Sequence, residues 1–163
     1  MFDARLRPLI DPPLNAMGRA LARWGIGANA VTLAALVPGL AAAFAIAHHH
    51  TLAGLGLILL NRLLDGLDGA VARATHPTDF GGFLDIVADF VFYIAVPIGF
   101  AMAQPTNQLP ALWLVGSFAL TGTSFLAFAT LAAKRGIETG AHGFAVGVDQ
   151  SFGNCPQYIQ ARE

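Results

Sequence analysis

The sequence predicts an all-α integral membrane bundle of about four transmembrane helices, preceded by an interfacial helix. Three observations lead there. The 163 residues are 55% hydrophobic and only 12% charged, with a mean hydropathy of +0.60, more apolar than a soluble domain of this size needs. Four apolar blocks, 31–47, 52–72, 82–103 and 109–133, each approach the roughly 20 residues that cross a hydrocarbon core. Basic residues alternate between the connections.

That alternation sets the expected orientation. Of the nine Lys and Arg residues, eight precede the first block (Arg5, Arg7, Arg19, Arg23), separate the second from the third (Arg73) or follow the fourth (Lys134, Arg135, Arg162). By the positive-inside bias these segments are cytoplasmic. The connections 48–51 and 104–109 contain no Lys or Arg and belong on the opposite side. Arg62 lies inside a block, one turn before Asp65, and is expected against acidic or phosphate groups rather than lipid.

Residues 1–27 read as a cytoplasmic N-terminal segment. After Pro12 and Pro13, Leu14, Met17, Leu21 and Trp24 recur at helical spacing, with Arg19 and Arg23 on another face. This is the pattern of a helix lying on an anionic leaflet. Asp3, Asp11 and the early prolines argue against a cleavable signal peptide.

Residues 28–135 form the membrane domain. Its turn His48-His49-His50 is expected on the far side of the membrane from the acidic residues described below, and Asp79 reads as a loop or cap residue. Phe90, Phe92, Tyr93, Phe100, Phe118, Phe125 and Phe128 read as packing or lipid-facing side chains. Gly116, Ser117, Thr121, Gly122, Thr123 and Ser124 suggest close helix packing in the fourth block. Residues 136–163 read as a polar tail. The single cysteine, Cys155, excludes an internal disulfide framework and a Cys-rich zinc site.

Two pairs of aspartates interrupt the apolar blocks: Asp65 with Asp68, and Asp85 with Asp89. Each acid at bilayer depth costs at least about 2.5 to 3.5 kcal/mol on insertion scales, so four together mark a functional site. Spacings of three and four put each pair on one helix face. At about 1.5 Å rise per residue, the first pair lies roughly 7–12 Å from Arg73 and the second roughly 6–12 Å from Gly81, at one common depth. Helices joined by a short connection are neighbours, so the four carboxylates can converge. Divalent cations would relieve their mutual repulsion, and all-oxygen ligands suit Mg²⁺ or Mn²⁺, two of which form the usual clamp for phosphoryl transfer. Arg73 offers a positive fork for a phosphate, and the small residues Gly69, Ala72 and Gly81 allow close approach of a ligand or helix.

Asp65-Gly-Leu-Asp68-Gly69-Ala-Val-Ala72-Arg73, followed by Gly81, Asp85 and Asp89, resembles the signature of the CDP-alcohol phosphotransferases. Asn29 and Thr32 resemble that family's residues at the start of its first core helix, so the likeness covers about residues 28–135. The resemblance implies that the hydroxyl of an acceptor alcohol attacks a CDP-alcohol, such as CDP-diacylglycerol, and CMP is released. It implies two divalent ions on Asp65, Asp68 and Asp85, with Asp89 completing the second site and acting as general base. Gly69, Ala72 and Arg73 would lie against the cytidine and diphosphate, as would Asn29, Thr32 and Gly81. It implies six membrane helices, against which this chain is short, so that its tail is either truncated or divergent. Expected partners are the CDP-alcohol, the acceptor alcohol and membrane lipids, with a homodimer allowed and no nucleic acid. The expected location is a bacterial inner membrane, with the site facing the cytoplasm. Two other readings stay open: a truncated, non-catalytic CDP-lipid-binding relative, and an ion-handling protein. Acids gathered near one face argue against the ion-handling reading.

Overall fold

The computed structural model describes residues 3–134. The expected polar tail, with Arg135, Cys155 and Arg162, lies outside the described residues. Five long helices follow one another: α1 (Asp3–Arg23), α2 (Ala28–Ala47), α3 (Thr51–Ala74), α4 (Asp79–Ala103) and, after a single 3₁₀ turn at Pro105–Asn107, α5 (Gln108–Lys134). No strand occurs among the described residues. The expected all-α membrane bundle is what the chain forms.

The α2 and α4 helices and the stretch Pro105–Ala132 are long and apolar enough to cross a membrane. A fourth span was expected over α3, which fails that measure. Its 24 residues rise about 36 Å, enough for a bilayer, but it carries Arg62, Asp65, Asp68 and Arg73. The shortfall is in charge, not length, and the charges are the site.

Helix α2 packs against both α3 and α4, α1 lies on α3, and α5 rests on α4. The core closes where α1, α2 and α3 meet: Val31, Leu67 and Val71 are buried, with Leu14, Leu21, Ile26, Ala28 and Leu64 packed around them. Two glycines permit the close crossings. A Cβ at Gly18 of α1 would lie 2.7 Å from the Ala70 carbonyl carbon, and one at Gly99 of α4 would lie 2.5 Å from the Ala43 carbonyl oxygen of α2.

The N-terminal helix departs from expectation in two respects. It starts upstream of Pro12 and Pro13, which lie inside it. Both prolines are exposed. Its apolar stripe also divides. Leu14 and Leu21 join the core, whereas Met17 and Trp24 stay exposed, with Arg19 and Arg23.

Candidate active site

Helices α3 and α4 are joined by a connection that their ends dictate. The Thr75 hydroxyl donates to the Val71 carbonyl at 2.9 Å, and Pro77 prevents the helix from running on. Thr78 then caps α4, its side-chain oxygen accepting from the Gly81 N–H at 3.0 Å. Asp79 opens α4, where its charge suits the positive helix end. Beyond this reversal α3 and α4 each pack on α2 rather than on one another, and it is across α2 that their acids are brought together.

Asp65, Asp68 and Asp85 each offer a carboxylate oxygen, and the three oxygens lie within 4.8 Å of one another. Asp68 and Asp85 are buried, at 3% and 8% exposure. A carboxylate only accepts hydrogen bonds, and Asp68 has a donor from another helix: the Thr32 hydroxyl gives to its Oδ2 at 2.7 Å. Three carboxylates so close, two of them buried, repel one another when ionised, and a proton or a positive counterpart relieves that repulsion. Oxygen donors in this number and spacing fit a hard divalent cation such as Mg²⁺ or Mn²⁺.

Asp89, expected both as a cation ligand and as a base, falls outside this group of three. Its Oδ1 instead accepts from Arg62 Nη2 at 3.0 Å. Arg62 Nη1 also lies 3.7 Å from Asp65 Oδ2. The expectation that Arg62 is held by acidic groups is met.

A cavity of about 220 Å³ opens between the starts of α2 and α4 and the end of α3; none of the acids lines it, but Ala72 and Gly81 of its wall are one helical turn from Asp68 and Asp85. Three expected nucleotide contacts, Asn29, Ala72 and Gly81, line it. Thr32 is instead drawn to Asp68, and Gly69 is buried in α3. Arg73 is exposed, and its Nε and Nη2 donate to Asn15 Oδ1 of α1 at 3.2 and 2.9 Å. Sequence reasoning missed the contributions of Thr75, His76, Pro77 and Thr78 to the lining. The Thr-Asp pair at a helix start was the available signal.

Residues 26–149 match the CDP-alcohol phosphatidyltransferase family. Inner membrane protein YnjF of Escherichia coli (strain K12) is 50% identical over 139 residues, covering 85% of this chain and 68% of that protein. Archaetidylinositol phosphate synthase of Pyrococcus horikoshii is 33% identical over 118 residues, 71% of this chain and 62% of that protein. Phosphatidylcholine synthase of Legionella pneumophila is 29% identical over 125 residues, 73% of this chain and 48% of that protein. The chain therefore spans less than two thirds of the length of either synthase. No solved structure matches it. The family match runs through most of the chain and includes all four aspartates of the two pairs, and with it this chain belongs to the CDP-alcohol phosphatidyltransferase family.

Proposed function

We propose that this chain transfers a phosphatidyl group from CDP-diacylglycerol, or a related substituted phosphate from another CDP-alcohol, to an acceptor alcohol in phospholipid synthesis. Family membership supports CDP-alcohol phosphatidyltransfer in general. The observation that carries the reading for this chain is the convergence of Asp65, Asp68 and Asp85 within 4.8 Å, with a cavity lined by Asn29, Ala72 and Gly81 one helical turn away along α3 and α4.

In this reading Asp65, Asp68 and Asp85 hold divalent cations, which when bound supply charge neutralisation for the diphosphate. The CDP portion enters the cavity, where the N-termini of α2 and α4 direct backbone N–H groups toward phosphate oxygens. Gly69, Ala72 and Gly81 admit it to the backbone. Arg73 exchanges Asn15 for a phosphate oxygen. The acceptor hydroxyl attacks the β-phosphorus, an O–P bond forms, and the anhydride bond to CMP breaks with its electron pair leaving on CMP. The hydroxyl proton passes to Asp89. Such transfer depends on charge neutralisation and in-line placement more than on covalent chemistry. The name Inner membrane protein YnjF supports placement in a bacterial inner membrane, and the distribution of Lys and Arg supports a cytoplasmic site.

The test is CMP release from CDP-diacylglycerol by the purified protein in detergent, with Mg²⁺ or Mn²⁺, across a panel of acceptor alcohols. The reading expects release with one acceptor, abolished by EDTA and by Asp89→Asn. Metal-dependent binding of the CDP-lipid without CMP release in the presence of any acceptor would establish a binding protein instead.

A further inference from the structure

We propose that His76 stacks on the base of the CDP-alcohol and so fixes the nucleoside end of the donor at the mouth of the cavity. The inference rests on the reading above that the CDP portion enters this cavity.

The cavity offers a ligand few groups with which to bond. Gly, Ala and Pro make up most of its wall. The Thr75 hydroxyl is spent on the Val71 carbonyl at 2.9 Å, and the Thr78 side-chain oxygen on the Gly81 N–H at 3.0 Å. Among the described residues, only Asn29 and His76 line it with polar side chains that make no hydrogen bond. Asn29 carries a donor and an acceptor, which suit the edge of a pyrimidine ring. His76 carries a flat aromatic face, which suits its plane.

The acids decide which end of the nucleotide meets which wall. Ala72 and Gly81 lie one helical turn from Asp68 and Asp85, so the diphosphate, which needs the cations, takes that wall. His76 lies further from the acids, in the connection beyond the end of α3 at Ala74. The base is thereby left to the wall that His76 and Pro77 form. A cavity of about 220 Å³ falls below the roughly 300–1,000 Å³ that encloses a drug-sized ligand. It takes the nucleoside end of a CDP-lipid and leaves the acyl chains outside.

The connection that presents the ring is held at both ends. The N–H and the hydroxyl of Thr75 both return to the Val71 carbonyl. Thr78 caps α4, and its own carbonyl accepts from the Gly82 N–H at 3.1 Å. Pro77 fixes the backbone φ between them. His76 itself is exposed, so its face is open to a ligand, and a base that stacks on a backbone already held pays little for ordering it.

The test is binding of CDP to the purified protein in detergent with Mg²⁺, by isothermal titration calorimetry, beside binding of pyrophosphate, which has the same anhydride and no base. The parent is compared with His76→Ala, His76→Phe and His76→Gln. His76→Ala is expected to weaken CDP roughly tenfold, the scale of losing one base–aromatic stack, and to leave pyrophosphate within about twofold. His76→Phe keeps a stacking face and holds CDP within about threefold of the parent. His76→Gln, which keeps only hydrogen-bonding capacity, behaves as His76→Ala. In the CMP-release assay His76→Ala raises KM for CDP-diacylglycerol and leaves kcat within about threefold. Equal CDP affinity in the parent and His76→Ala overturns the proposal. So does a parallel loss of pyrophosphate binding, or retention of CDP affinity by His76→Gln and not by His76→Phe. If the parent binds neither CDP nor pyrophosphate, the functional reading fails and the stack with it. CDP binding that all three substitutions leave unchanged removes the stack alone and keeps that reading.

Discussion

Helices α3 and α5 are close in length, at 24 and 27 residues, yet they treat their polar side chains in opposite ways. Along α5 the hydroxyls of Ser117, Thr121, Thr123 and Thr130 each donate to the carbonyl four residues back, at 2.7 to 2.9 Å. They are satisfied within their own helix and remain exposed on its surface. Along α3, Asn61, Arg62 and Asp68 reach Ala35, Asp89 and Thr32 on other helices. The difference is chemical. A hydroxyl can donate to its own backbone, whereas a carboxylate only accepts, and the N–H groups of a helix interior are already used. Acids inside a helix must therefore find donors or cations elsewhere, and that requirement ties α3 to α2 and α4 around the site.

The largest expected effect falls on the acids themselves. Asp68→Asn and Asp85→Asn should each lower CMP release by roughly three orders of magnitude or more, as loss of charge stabilisation at a phosphoryl centre does. An effect below tenfold would remove the contrast between the helices. Next is the packing that brings the acids together. Gly99→Leu drives a side chain into the α2 backbone at Ala43 and should destabilise the protein by about 1–3 kcal/mol, read as a lower unfolding temperature in detergent. Thr32→Val keeps the shape but removes the donor to Asp68, and should lower turnover by about tenfold, the scale of one charge-assisted hydrogen bond. The smallest effect belongs to α5: Thr121→Ala and Thr130→Val should leave stability within about 0.5 kcal/mol and turnover unchanged. A large loss there would mean that those hydroxyls are used beyond their own helix.

Much of this was legible in the sequence because membrane helices announce themselves by length and apolarity. The block 31–47 became Ala28–Ala47 and the block 82–103 became Asp79–Ala103, the latter start fixed by the Thr78 cap, which hydropathy does not register. Helical spacing anticipated that acids of α3 and α4 would converge, but three of the four do so within 4.8 Å, and the helices meet through α2 rather than as direct neighbours. Arg62 was read as partnered by an acid or phosphate, but spacing along one helix could not select Asp89, which lies on another. Arg73 illustrates the same limit, since its contact with Asn15 depends on how α1 lies across α3. The expected close packing along α5 holds at Gly122, whose missing Cβ makes room for the Phe90 ring, but Gly116 has nothing near it and the neighbouring hydroxyls face outward. A run of small polar residues looks the same in sequence whether it meets a helix or bonds to itself.

Whether three carboxylates from two helices form one divalent-cation site is decided by a Mn²⁺ titration of the purified chain, followed by electron paramagnetic resonance, in the parent and in Asp68→Asn, Asp85→Asn and Thr121→Ala. Saturable binding is expected, weakened at least tenfold, about 1.4 kcal/mol, by each aspartate substitution and left intact by Thr121→Ala; equal Mn²⁺ binding by all four proteins, or none by the parent, would rule out such a site.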